Sequence, residues 1–271
     1  MKMHPCAKIN LGLYVTERRP DGYHNLETIF YPIPLCDDLE IEPAAEESFV
    51  LEGLPVAGDP ADNLVMRVVA ALRLRGFDIP PLSVRLTKHI PTGAGLGGGS
   101  SNAAYALLLL NNLFSLGLSL DEMERIVTPL GADCPFFIRH QPAFATGIGD
   151  QLCPIDLDLS GVHLVLLKPD DFVSTREAYQ GIQPRRPRHD LARDILRPVS
   201  EWSGLVENDF ERSVFPLHPA IADLKAMLYQ QGALYAAMSG SGSAVFGLFD
   251  REPQSLALYP APQWEGFFTA L

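Results

Sequence analysis

The chain has 271 residues, 47% of them hydrophobic and 20% charged. That is apolar material for one large or two ordinary domains, and too much for a disordered chain. Lys and Arg number 21 against 33 Asp and Glu, a formal net charge of −12, which argues against a nucleic-acid polymer or an anionic membrane as partner. Two long stretches, 90–120 and 226–249, carry no charge at all. Gly, Ser and Asn interrupt the first and Gln, Ser and Gly the second, so neither reads as a membrane span.

No targeting signal is expected at the N-terminus, where Lys8 and Asn10 interrupt the apolar run. Cys6, Cys36, Cys134 and Cys153 lie far apart with no C-x-x-C pair. Neither a zinc site nor a disulfide framework is expected, and a reducing cytoplasm is the expected compartment.

Residues 7–15 alternate, with Ala7, Ile9, Leu11, Leu13 and Val15 on one face and Lys8, Asn10, Gly12 and Tyr14 on the other. This predicts a half-buried strand that sets Lys8 and Asn10 side by side. Strands are also predicted over 29–34 and 39–43. A helix follows over 63–75, with Asp62 as its cap, an apolar stripe from Leu64 to Leu72, and Gly76 as its stop. Residues 82–88 alternate again as a strand. A helix is predicted over 101–113, and Ser119 with Glu122 forms a capping box for the next. Residues 183–188 read as an exposed, solvated loop. A buried strand is predicted over 162–167, a helix over 219–231, and strands over 234–238 and 244–249 around a Ser-Gly turn. Strands and helices mix without strict alternation, which predicts an α+β fold. The pattern restarts after Leu152, which suggests domains over 1–152 and 153–271.

Residues 91–104 join a strand to a helix and hold five glycines within the seven residues 93–99. Glycines let backbone N–H groups approach a ligand, and a helix start adds a positive dipole end. Together they predict an anion site that needs no basic side chain. Gly93, Gly95 and Gly98 fit G-x-G-x-x-G, but no acidic residue stands beside a second strand as a dinucleotide site requires. No P-loop motif and no protein-kinase signature is present.

The run from Pro91 to Ala104 resembles the phosphate-binding motif of the GHMP kinases. The segment from Cys6 to Leu13 resembles the first motif of that superfamily, and Met238 to Ser243 the third. Two further segments, Arg18 to Leu26 (R-R-P-D-G-Y-H-N-L) and Leu130 to Phe137 (L-G-A-D-C-P-F-F), are similar to the family that phosphorylates 4-diphosphocytidyl-2-C-methyl-D-erythritol in the non-mevalonate route to isoprenoid precursors. Little between Arg185 and Phe215 matches. The resemblance implies two domains, the first like ribosomal protein S5 domain 2 and the second ferredoxin-like. It implies ATP as phosphoryl donor, Mg²⁺, and a cytidine diphosphate sugar alcohol as acceptor. Another small-alcohol GHMP kinase or a non-catalytic nucleotide sensor are the alternatives. Oligomeric state, monomer or homodimer, is left open.

Phosphoryl transfer to an alcohol needs a held phosphate tail, charge neutralisation and a group that aligns or deprotonates the hydroxyl. The resemblance assigns Asp133 as the base, and Lys8 as the cation that polarises the hydroxyl and meets the γ-phosphate. Donor contacts fall on Pro91, Gly93, Ala94, Gly95, Leu96, Gly97, Gly98, Gly99, Ser100, Ser101 and Asn102, with Ser101 also a candidate toward Mg²⁺. Asn63 is either an adenine contact or a helix cap. Lys88 either reaches a phosphate or is solvated. On the acceptor side, Asn10 would hydrogen-bond the acceptor, Tyr23 and Tyr179 would sandwich the cytosine, and His24 would bind its polar edge. Thr175, Ser239, Gly240 and Ser241 complete the set, the last three either against the acceptor's diphosphate or as a plain hairpin turn. Cys134 reads as a packed small residue.

Overall fold

A computed structural model describes residues 1–56, 59, 62–253 and 266–271. In chain order the elements are β1 (Lys2–Met3), β2 (Cys6–Arg18), β3 (His24–Cys36), β4 (Asp38–Pro43), β5 (Ser48–Gly53), α1 (Leu64–Leu74), β6 (Leu82–Lys88), α2 (Gly98–Leu113), α3 (Leu120–Val127) and α4 (Cys134–Arg139). Then come β7 (Ala143–Thr146), β8 (Gln151–Pro154), β9 (His163–Leu167), α5 (Thr175–Gln180), α6 (Leu191–Asp194), α7 (Phe210–Val214), α8 (Pro219–Gln230), β10 (Tyr235–Met238), β11 (Val245–Phe249) and β12 (Phe267–Ala270). The α+β class is as the pattern predicts.

Two compact units account for the chain, and each is assembled from separate stretches. The first comprises Met1–Lys8, Leu35–Thr92 and Gly97–Gln141; the second comprises Ile9–Pro34, Gly93–Leu96 and Pro142–Leu271. The first unit holds the sheet β1-β4-β6-β5, with β5 parallel to β6 and the other pairs antiparallel. The alternation in β6 buries Leu82, Val84 and Leu86 on one face. Helix α2 packs against α1 and α4, and buries Ala103, Ala106, Leu107 and Leu110 among others. The capping box of α3 is present in full.

The second unit holds the antiparallel sheet β10-β11-β9-β12, against which α8 packs with Ile221, Leu224 and Leu228 buried. A further sheet runs β2-β3-β7-β8; within the second unit Thr28 of β3 pairs with Ala145 of β7. Val15, Val165, Phe210 and Met238 share one apolar cluster in this unit.

Four local expectations are corrected. Strand β2 is not half-buried: every residue from Ala7 to Val15 is buried. Its second face can be buried because its polar groups find partners; in the second unit Asn10 Nδ2 donates to Thr28 Oγ1 at 2.9 Å and Tyr14 Oη to Leu205 O at 2.8 Å. The cap of α1 is Asn63, not Asp62, since Asn63 Oδ1 accepts from Val65 N at 3.0 Å. Helix α2 begins at Gly98, three residues before the predicted start, so the last glycines belong to its first turn. Finally, Cys6 and Cys36 form a disulfide in the first unit. Their separation of 30 residues hides a pairing that strand geometry alone creates, and cysteine spacing therefore gives no ground for a reducing compartment. Cys134 and Cys153 remain free thiols. Among the described residues no helix is long and apolar enough to cross a membrane.

Candidate active site

In the first unit Lys8 is 3% exposed and its Nζ lies 3.5 Å from Asp133 Oδ2. Burial holds the Lys8 ammonium below the ordinary lysine value, with the Asp133 charge pulling the other way. Asp133 stands at the N-cap position of α4, yet its side chain makes no capping bond, so its carboxylate is directed to Lys8 and remains one-third exposed. A Cβ built on Gly97 would meet Lys8 Cε at 3.2 Å and Phe137 Cζ at 2.8 Å. The lysine stem therefore runs directly against the N-cap of α2. Next to Asp133, burial pushes the Cys134 thiol up to about 11, so it packs as an inert small residue.

Gly97 caps α2 in the left-handed region, φ +70°, with no side-chain cap and no acidic residue in the first turn. The first N–H groups of a sixteen-residue helix then face no side-chain acceptor, which is the condition for binding an anion. Ser101 is fully buried and its hydroxyl donates to Cys6 O at 2.7 Å. Lys88 Nζ donates to Asp37 Oδ2 in a short, buried ion pair and to Asn102 Oδ1 at 2.9 Å. Among the described residues no group of three or more His, Cys, Asp or Glu could hold a metal ion.

In the second unit the loop residues Gly93 and Gly95 have φ of +66° and +76°. Ser239 is fully buried; its hydroxyl donates to Gly95 O at 2.9 Å and accepts from Asn10 N at 3.2 Å. Asn208 steadies the same turn, its Nδ2 donating to Met238 O at 2.7 Å and to Gly240 O at 2.8 Å. The Thr175 and Ser241 hydroxyls approach to 3.5 Å. The rings of His24 and Tyr179 stack with centroids 4.7 Å apart and planes 18° apart. Burial, aided by the Arg18 charge, holds the His24 imidazolium below its usual pKa. Tyr23 is 63% exposed on the turn before it.

Residues 63–141 match the GHMP kinases N terminal domain and residues 190–261 the GHMP kinases C terminal domain. The chain belongs to the GHMP kinases. The 4-diphosphocytidyl-2-C-methyl-D-erythritol kinase of Bacteroides fragilis (strain YCH46) is 56% identical over 252 residues, covering 92% of each chain. That of Porphyromonas gingivalis is 51% identical over 258 residues, 94% of each. A crystal structure of 4-(cytidine 5'-diphospho)-2C-methyl-D-erythritol kinase superposes with a TM-score of 0.77 at 34% identity, over 92% of this chain and 90% of that one. The Methanococcus jannaschii mevalonate kinase shares the fold alone, with a TM-score of 0.71 at 14% identity, over 99% of this chain and 96% of that one.

In this GHMP kinase the first unit brings Lys8, Asp133 and Gly97 together, and groups Lys88 with Asn102. It uses Asn63 as a helix cap. It does not leave Lys88 solvated: the side chain is 4% exposed. Ser101 is buried and donates its hydroxyl hydrogen to Cys6 O. The second unit joins Asn10, Gly95 and Ser239, and pairs His24 with Tyr179, whereas Tyr23 stands in solvent. Sequence reasoning missed Asp37 and Asn208, the latter inside the stretch where it found little to match. Asp37 follows a strand with no motif around it, and only its burial reveals it.

Proposed function

We propose that the chain transfers the γ-phosphoryl group of ATP to the 2-hydroxyl of 4-diphosphocytidyl-2-C-methyl-D-erythritol. The observation that carries this reading is the buried Lys8 ammonium set between the Asp133 carboxylate and the N-cap glycine of α2. One cation thus links a candidate base to a phosphate cradle, an arrangement a sensor has no need to keep. The acceptor follows from the relatives, which are more than half identical over nine-tenths of the chain.

Asp133 takes the hydroxyl proton as the oxygen bonds to phosphorus and the bond to ADP breaks. Lys8 steadies the oxygen and the charge on the transferred group. The first N–H groups of α2 hold the phosphate tail. The donor set fits a metal that arrives bound to phosphate rather than one caged by protein, and Mg²⁺ would supply charge neutralisation there. On the acceptor side the aromatic ring of Tyr179 and the polar edge of His24 suit a cytosine, and Thr175 and Ser241 offer hydroxyls to a polyol or diphosphate. In this reading the donor site lies within residues 1–152, and the acceptor side joins residues 153–271 to His24, which stacks on Tyr179. A cytoplasmic location goes with it, since ATP and cytidine nucleotides are supplied there.

Incubation with ATP, Mg²⁺ and the cytidine diphosphate acceptor should release ADP in proportion to acceptor. Turnover of mevalonate or homoserine, with none of this acceptor, overturns the substrate and leaves the family intact.

A further inference from the structure

We propose that Asp37 is a positioning residue for the donor site, acting through Lys88 and Asn102 on the first turn of α2. The proposal rests on reading that turn as the phosphate cradle.

Asp37 has no exposed surface, and every hydrogen bond its carboxylate makes ends near the start of α2. Oδ1 accepts from His89 N at 2.7 Å and from Ile90 N at 2.9 Å, fixing the chain where it leaves β6. Oδ2 accepts from Lys88 Nζ and from Asn102 Nδ2, the latter at 2.8 Å. Lys88 Nζ also donates to Asn102 Oδ1. Aspartate, lysine and asparagine thus close a ring of hydrogen bonds that ties the end of β6 to α2.

The ring lies directly beneath the cradle. A Cβ on Gly98, the first residue of α2, would meet Lys88 Nζ at 3.3 Å and Ile90 Cγ2 at 2.9 Å. A cation under a helix N-terminus opposes the dipole, and burial already lowers the Lys88 pKa. Asp37 answers both costs: it neutralises Lys88 and orients it, so the ammonium serves as a strut and not as a phosphate ligand. A buried pair of this kind contributes little net stability but loses much when one partner is removed. Its value lies in geometry, because four residues along from Gly98 it pins Asn102, and so sets where the N–H groups of the first turn point.

An amide at position 37 would turn its NH₂ toward two donors, Lys88 and Asn102. Asn102 can flip to accept from it, but Lys88 then loses its acceptors and sits buried beside a donor. A second change, Lys88→Gln, restores an acceptor for the flipped Asn102 and removes the charge. The neutral ring can therefore close again.

The test titrates the full chain with a non-hydrolysable ATP analogue plus Mg²⁺, and separately with cytidine diphosphate. It compares the wild type, Asp37→Asn, Lys88→Gln and the double variant. Asp37→Asn should weaken analogue binding about tenfold or more, about 1.4 kcal/mol per factor of ten, with cytidine diphosphate affinity unchanged. The double variant should return to within about threefold of the wild type. If Lys88→Gln and the double variant both bind the analogue about tenfold or more weaker than the wild type, Lys88 touches phosphate directly and the proposal fails. It also fails if Asp37→Asn binds the analogue as well as the wild type. Should Asp37→Asn not fold, the double variant against the wild type decides alone. Absence of cytidine diphosphate binding in the wild type would instead strike the acceptor reading.

Discussion

The hydroxyl of Ser239 donates to the carbonyl of Gly95, 2.9 Å away, and accepts from Asn10 N. Residues from three separate sequence motifs therefore meet on one buried oxygen. Ser239 is not available to a ligand; it is a joint. Ser239→Ala removes the hydrogen bonds to Gly95 O and from Asn10 N, at a cost of about 1–3 kcal/mol. A lower denaturation midpoint with an unchanged slope is the expected outcome, together with reduced turnover. A variant as stable and active as the wild type would show that the joint is idle.

The same joint makes Gly95 irreplaceable. Its φ is +76°, and a Cβ there would fall 2.0 Å from Ser239 O, a backbone atom that cannot move aside. Gly95→Ala should fail to fold or lose activity outright. Gly99 is the internal control: it is helical, and a Cβ there meets nothing nearer than Leu64 Cδ1 at 3.7 Å. Gly99→Ala should keep its folding stability within about 1 kcal/mol of the wild type. Thermal unfolding of the two variants side by side reads the contrast.

The stack of His24 on Tyr179 at 4.7 Å gives the proposed acceptor side its aromatic surface. Stacking on a base depends on the ring, at about 1–3 kcal/mol per base. Tyr179→Phe should therefore leave KM for the cytidine diphosphate acceptor within about threefold, whereas Tyr179→Ala should raise it about tenfold or more. KM for ATP should hold in both. If ATP and acceptor constants shift together, Tyr179 supports the fold and not the base.

Much of this is legible in one sequence because it is written in short-range patterns. Period-two alternation locates β6 over its full length, and Ser119 with Glu122 locates α3. The glycine run locates the start of α2, though three residues late, because Gly98 and Gly99 read as loop when they open the helix. The clue to Lys88 is present as well. It continues the series Leu82, Val84 and Leu86 on the inward face of β6, so alternation alone predicts a buried lysine in need of an anion. What the sequence does not carry is the partner. Asp37 stands 51 residues before Lys88, and Cys36 is 30 residues from Cys6; strand pairing, not spacing, brings them together. Asn208 is hidden for the same reason, since its targets Met238 and Gly240 lie 30 and 32 residues on.

The pairing of Lys8 with Asp133 makes a two-part prediction about catalysis. Asp133→Asn removes the proton acceptor but keeps the shape, so turnover should fall by about 10²–10⁴. Affinity for an ATP analogue should stay within about threefold, because the cradle at α2 is untouched. Lys8 adds a pH signature. Burial lowers its pKa from the ordinary 10.5, so its charge is present below that lowered value and is lost as pH rises through it. Turnover should accordingly decline on the alkaline side at a pH below 10.5. Lys8→Arg keeps its charge to far higher pH, so its weaker activity should lack that alkaline decline. A wild-type profile that stays flat beyond the lysine range would mean that the charge on Lys8 plays no part in the step.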